Sequence, residues 1–163
     1  MKHQQQQIFS KTPDTVMRMF RDHAFFERKY ALLGLRDAQV TDYEQQGDNV
    51  RVRVRYTSQS DVPLPDFARK LVSGDIQVEQ EESWDLVRGV GRIEVTLVGL
   101  PFKIEADTKL TAYNQNGAVN TQNWDIRCAI PLVGVQLEKL MLDDIRSKAA
   151  ADGAAAHRLL DEY

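Results

Sequence analysis

Val50-Arg51-Val52-Arg53-Val54-Arg55-Tyr56 is the stretch whose reading decides the fold. Apolar and charged residues alternate with a period of two, which is the period of a strand with one buried and one wet face. The valines and Tyr56 belong to a core, and the three arginines to solvent. The same period extends in both directions, from Leu35 to about Ile130. Before it, residues 35–45 lead into Gln46-Gly47-Asp48-Asn49, a hairpin turn. After it, Pro63 and Pro65 break the pattern, and residues 66–72 read as a short helical turn or an irregular excursion. Alternation resumes over residues 76–87, 92–98, 102–113 and 118–130. Gly99-Leu100-Pro101 and Asn114-Gln115-Asn116-Gly117 form two of the turns between them.

Outside this region the period is helical. Thr12, Pro13 and Asp14 make a helix start, with a capping hydroxyl, a proline at the first position and a carboxylate at the positive dipole end. Val16, Met19 and Phe20 supply its apolar stripe. Asp22 caps a second helix carrying Phe25, Phe26, Tyr30 and Leu33, which Gly34 ends. From Leu132 a long helix runs through Leu137, Leu140, Met141, Ile145, Ala149, Ala156 and Leu160, with a kink or early end expected at Gly153. Residues 3–9 read as a first strand, with the glutamines at 4–7 on a partly wet edge. Strands bracketed by helices give an α+β fold. The expected architecture is one domain over residues 1–163. In it a curved seven-stranded antiparallel sheet wraps a long C-terminal helix, with two short helices between the first and second strands.

Composition narrows the function classes. A net charge of −3 argues against a general nucleic-acid binder. No apolar stretch reaches the ~20 residues of a membrane-spanning helix. Met1-Lys2-His3 and the glutamines after them lack the apolar core of a secretory signal, so the expected address is the cytoplasm. The lone Cys128 permits no intrachain disulfide and reads as a small core residue. His3, His23 and His157 stand far apart without metal-ligand spacing, so neither a metal nor a cofactor is expected. There is no Gly-x-Ser-x-Gly elbow and no phosphate-binding glycine loop. Gly89-Val90-Gly91 reads as a turn between strands.

Alternation directs Val50, Val52, Val54, Ile76, Val78, Ile93, Val95, Leu97, Phe102, Ile104, Leu110, Trp124, Ile126 and Ile130 toward the helix. It also sends polar residues inward. Gln80 and Glu82 share the parity of Trp84, Thr108 that of Ile104 and Leu110, and Gln122 that of Trp124. A buried carboxylate is costly unless paired, so an inward Glu82 needs a reason. It orients a ligand or acts as an acid or base, or it makes a structural hydrogen bond. The outward arginines at 51, 53 and 55 have two readings, phosphate binding or ion pairing with Glu79 and Glu81, which share their parity. Asp143 and Asp144 read as a solvated helix face.

The opening Ile8-Phe9-Ser10-Lys11-Thr12-Pro13-Asp14-Thr15-Val16, the Gly47 and Gly117 hairpins and the closing Pro131-Leu132-Val133-Gly134 resemble the helix-grip superfamily. That superfamily includes START lipid-transfer domains, birch-pollen-type allergens, polyketide cyclases and coenzyme-Q-binding proteins. Within it, Glu82-Ser83-Trp84 and residues 131–138 look like a bacterial subfamily known as a domain of unknown function. The resemblance implies a deep, mostly apolar cavity between sheet and terminal helix, holding a lipid, quinone or polyketide-like molecule. Trp84, Trp124, Leu137 and Met141 are the candidates for lining its mouth, with Glu82, Gln122 and Thr108 as polar contacts. The terminal helix and residues 63–72 are the implied gates, and contact with a membrane is at most transient. A carrier protein is the first expectation. A cyclase or dehydratase using Glu82 is the second, and an interaction module with a filled cavity the third.

Overall fold

The computed structural model describes residues 1–58, 65–71 and 75–163. The chain forms β1 (Lys2–Phe9), α1 (Pro13–Phe20), α2 (His23–Leu33), β2 (Arg36–Gln46), β3 (Asn49–Ser58), α3 (Asp66–Leu71), β4 (Ile76–Asp85), β5 (Val90–Leu97), β6 (Phe102–Tyr113), β7 (Gly117–Cys128) and α4 (Gly134–Leu160). The seven strands make one antiparallel sheet in the order β1-β7-β6-β5-β4-β3-β2. Every neighbour is a sequence neighbour except β1, which pairs with β7 so that Gln5 lies opposite Gln122 and Gln7 opposite Asn120. The sheet curves around α4 in the helix-grip manner that the resemblance implies.

Local chemistry sets the boundaries. The Asp22 carboxylate accepts a hydrogen bond from the Ala24 amide at 3.0 Å, and Gly34 closes α2 in the left-handed region at φ 64°. Thr12 stands at the α1 N-cap, but its hydroxyl meets that of Thr15 at 3.2 Å instead of a backbone amide. The excursion after β3 contains the short helix α3. Pro63 and Val72 lie outside the described residues.

Two expectations about α4 are overturned. The helix passes Gly153 unbroken, because the glycine marks a close approach and not a stop. A Cβ there would stand 3.3 Å from Gln7 Nε2. Asp144 is not solvated either. It is buried, and it accepts from Lys148 Nζ one turn on at 2.7 Å.

The inward residues form two separate clusters. One fills the end closed by α1, α2 and the last turns of α4, with Phe9, Met19, Phe20, Phe25, Phe26, Val50, Val52, Val54, Trp84 and Leu160 among its members. The other sits under the first half of α4 and contains Val78, Ile93, Leu97, Ile104, Ala106, Trp124, Ile126 and Leu142. On the outer face, Arg55 pairs with Glu79 and Arg53 with Glu81, each at 2.6 Å, while Arg51 reaches Glu44 at 2.7 Å. The arginine row is therefore a set of exposed cross-strand ion pairs, each contributing roughly 0.2–1 kcal/mol.

Candidate functional site

Between the two apolar clusters runs a belt of polar side chains. Period-two alternation makes it. The parity that buries Phe9 also turns Gln7 and Gln5 inward. The parity that buries Ala118 and Trp124 turns in Asn120 and Gln122, and that of Ile104 and Leu110 turns in Thr108. Gln80 and Glu82 follow Trp84 on β4, and the helices add Lys29 and Tyr30 from α2 and Asp152 from α4.

Part of this belt is satisfied. Gln122 Oε1 accepts from Gln5 Nε2 at 2.7 Å and from the Trp124 indole at 3.2 Å. Glu82, 8% exposed, accepts from the Trp84 indole at 2.8 Å through Oε1. Gln80 Nε2 donates to the Tyr30 hydroxyl at 3.2 Å. Lys29 Nζ is buried 3.2 Å from an Asp152 carboxylate oxygen, and 5.1 Å from the centre of the Tyr30 ring.

Three buried atoms have no hydrogen-bond partner among the described residues: Gln7 Nε2, Thr108 Oγ1 and Asn120 Oδ1. Thr108 and Asn120 are each only 3% exposed. Register places Gln7 directly opposite Asn120. Thr108, opposite Gln122, lies one diagonal step from Asn120, a separation of about 7–8 Å between backbones. Such atoms cost about 1–3 kcal/mol each when buried without a partner. Gly91 lets Thr108 and Trp84 approach the backbone of β5 closely. A Cβ there would fall 2.8 Å from Thr108 Oγ1 and 2.8 Å from the Trp84 ring.

Burial shapes the titration of this region. Burial raises the Tyr30 hydroxyl above the usual tyrosine range and pushes Tyr56 up to about 12. Burial works against the Lys29 charge, but Asp152, Tyr30 and Glu82 outweigh it and hold the ammonium above the usual lysine range. Lys29 is thus a charged, paired group and not a nucleophilic amine.

The residues singled out from the sequence do not all meet. Glu82, Thr108 and Gln122 are on the belt, and Trp124 borders it from the second cluster. Trp84 sends its indole N–H to the belt, but its ring lies 4.9 Å from that of Phe20, deep in the closed-end cluster. Trp84 is 2% exposed and its ring packs against Gly91, where a Cβ would stand 2.8 Å from it. Leu137 is buried near the start of α4, and Met141 packs half-buried against the second cluster. Gln7, Asn120, Lys29, Tyr30 and Asp152 were missed. Parity from Phe9 and Trp124 would have found the first two, and helical spacing from Phe25 and Phe26 would have found Lys29.

Two open hollows of about 380 Å³ each are lined largely by outward residues such as Arg92, Glu105 and Asp107, or Glu44, Arg51 and Ser83. Neither lies between sheet and α4. Among the described residues, no three His, Cys, Asp or Glu side chains gather to hold a metal ion, and no helix is long and apolar enough to cross a membrane.

Comparison with known proteins agrees with this architecture. The chain belongs to the family described as "Protein of unknown function (DUF2505)", which it matches over residues 4–160. A protein of Thermus thermophilus superposes with a TM-score of 0.67 at 15% identity, covering 98% of this chain and 97% of its own. The Zhui aromatase/cyclase of a Streptomyces strain gives 0.62 at 10% identity, covering 99% and 93%. Norcoclaurine synthase of Thalictrum flavum gives 0.63 at 10% identity, covering 100% and 87%. At these identities the likeness shows a shared fold. Among proteins of curated function, none matches the chain.

Proposed function

We propose that this member of the family binds a small, largely apolar molecule inside the grip, between the inner face of the sheet and α4, as a cytoplasmic binding or carrier protein. Residues 1–163 act in this reading as one binding unit. The observation that carries it is the divided core. Two apolar clusters are separated by a belt in which Gln7, Thr108 and Asn120 hold polar atoms without a partner among the described residues. A core serving stability alone gains from filling such positions with apolar side chains. The fold neighbours support the reading, since their names include an aromatase/cyclase and a norcoclaurine synthase, the latter also solved in complex with dopamine and hydroxybenzaldehyde. The outward guanidinium groups already engage carboxylates, which speaks against a phosphate backbone as partner. Native mass spectrometry of freshly purified protein, followed by organic extraction, tests the proposal. A near-stoichiometric lipid, quinone or polyketide-like adduct supports it. A bare mass that no added apolar compound shifts counts against it.

A second reading has its own observation. Glu82 is a buried carboxylate with one oxygen fixed by Trp84, and Lys29 and Tyr30 lie close enough to interact with it electrostatically. Several polar groups converging in an interior suit an acid–base enzyme better than a simple carrier. Glu82→Gln separates the two. Loss of turnover with retained binding of the extracted compound favours the enzyme, and loss of binding favours the carrier.

A further inference from the structure

The three unpaired atoms are not a random set. Gln7 Nε2 is a donor, Asn120 Oδ1 is an acceptor, and Thr108 Oγ1 serves as either. A hydroxyl group both donates and accepts, so it can satisfy Asn120 as donor and Thr108 or Gln7 as acceptor. The charge beside them restricts the partner further. Glu82 lies on the same belt, and the belt's lysine, Lys29, is already paired with Asp152, so a carboxylate brought here finds another acidic side chain and no lysine free to pair with it. The two sides of the belt are packed with different side chains. The closed end is filled by Phe9, Phe25, Phe26 and Met19, each no more than 1% exposed. The other side is bounded by the smaller cluster under Leu142 and Met141 of α4.

Resting on the binding reading above, we infer that the belt takes a neutral hydroxyl-bearing amphiphile with its polar end leading. The hydroxyl is satisfied from this unpaired set, and the apolar remainder lies toward the first half of α4. This orientation is the reverse of a lipid that keeps its head group at the protein surface. It also makes Thr108 and Asn120 specificity residues that are carried at a cost to stability.

Calorimetric titration with para-pentylphenol, pentylbenzene and hexanoate tests this, on the wild-type chain and on Thr108→Val and Asn120→Leu. The wild-type protein is expected to bind the phenol about tenfold or more tightly than pentylbenzene, as one to two buried hydrogen bonds imply, and hexanoate least. Each variant should lose about tenfold in phenol affinity, keep its pentylbenzene affinity, and melt at the same temperature or about 2–4 °C higher. Equal wild-type affinity for the phenol and pentylbenzene overturns the inference while leaving the binding reading standing. So do variants that melt lower without losing discrimination, since the atoms are then part of a structural network. If no probe binds, the binding reading fails together with the inference.

Discussion

At the end of the grip closed by α1 and α2, large rigid rings pack edge to face. Phe9 meets Phe20 at 6.4 Å and Phe25 meets Phe26 at 5.0 Å, both in edge-on geometry. Under the first half of α4 the cluster consists mainly of single aliphatic side chains from β4, β5, β6 and β7, and Leu142 is its buried contribution from the helix. The last turns of α4 are tied down as well. Lys29 pairs with Asp152, Lys11 Nζ donates to the Leu160 carbonyl at 2.9 Å, and Tyr163 donates to Asp22 at 2.5 Å. The closed end therefore holds the large aromatic packing. The other packs mainly aliphatic side chains, with the polar belt as the boundary between them, and under the proposed function it is the end that yields to a ligand.

The largest effect that probes this difference is loss of an aromatic side chain at the closed end. Phe26→Ala should cost about 3–5 kcal/mol, while Leu142→Ala should fall near the low end of its class, about 2 kcal/mol. Urea unfolding of both variants reads the contrast. Equal costs would erase the distinction between the two ends.

The belt itself predicts an alkaline signature. Lys29, Tyr30 and Tyr56 hold their protons more tightly in the folded chain than in the unfolded one. Groups with raised values contribute stability that is fully present below their unfolded pKa and lost as pH rises through the folded one. The melting temperature should therefore begin to fall above the ordinary tyrosine value of about 10. It should go on falling through about 12, where Tyr56 titrates. Tyr56→Phe should remove part of that slope. Tyrosinate absorbance showing Tyr30 and Tyr56 ionising at the unperturbed value would place them in water and dissolve the belt.

The smallest effect concerns the seam between α4 and β1. Gly153→Ala gains helix propensity of up to about 1 kcal/mol. The new methyl meets only the far end of the Gln7 side chain at 3.3 Å, which can move aside. A slight rise in melting temperature is expected. A clear fall would mean that Gln7 is held rigidly in place, which sharpens its role on the belt.

Most of this organisation is legible in the sequence, and the exceptions have physical causes. A period of two is unambiguous where valine and arginine alternate, so β3 and its inward face follow directly, and of the two readings of its arginines the structure shows ion pairing with Glu79 and Glu81. Within the glutamine run of β1, where both faces are polar, only parity counted back from Phe9 tells the faces apart. There Gln4 and Gln6 pair outward with Asn123 and Thr121, while Gln5 and Gln7 enter the interior. Gly153 misled because helix propensity is local and the approach of Gln7 is not. Lys29 drew no reading for the same reason, since its partner Asp152 comes from another element, and Asp144 misled although its partner Lys148 stands one helical turn away, because burial is not local. The inward Glu82, Thr108 and Gln122 were visible by parity, but nothing local says that Asn120 and Gln7 join Thr108 as unpaired atoms.

The most direct measurement of the central claim is a side-chain NMR titration of the full chain with para-pentylphenol. Shifts centred on the Gln7 and Asn120 amide groups and the Thr108 methyl, with the outer face unmoved, are the predicted result. Shifts confined to the outer hollows around Arg92 or Arg51, with those three side chains silent, would contradict an interior site.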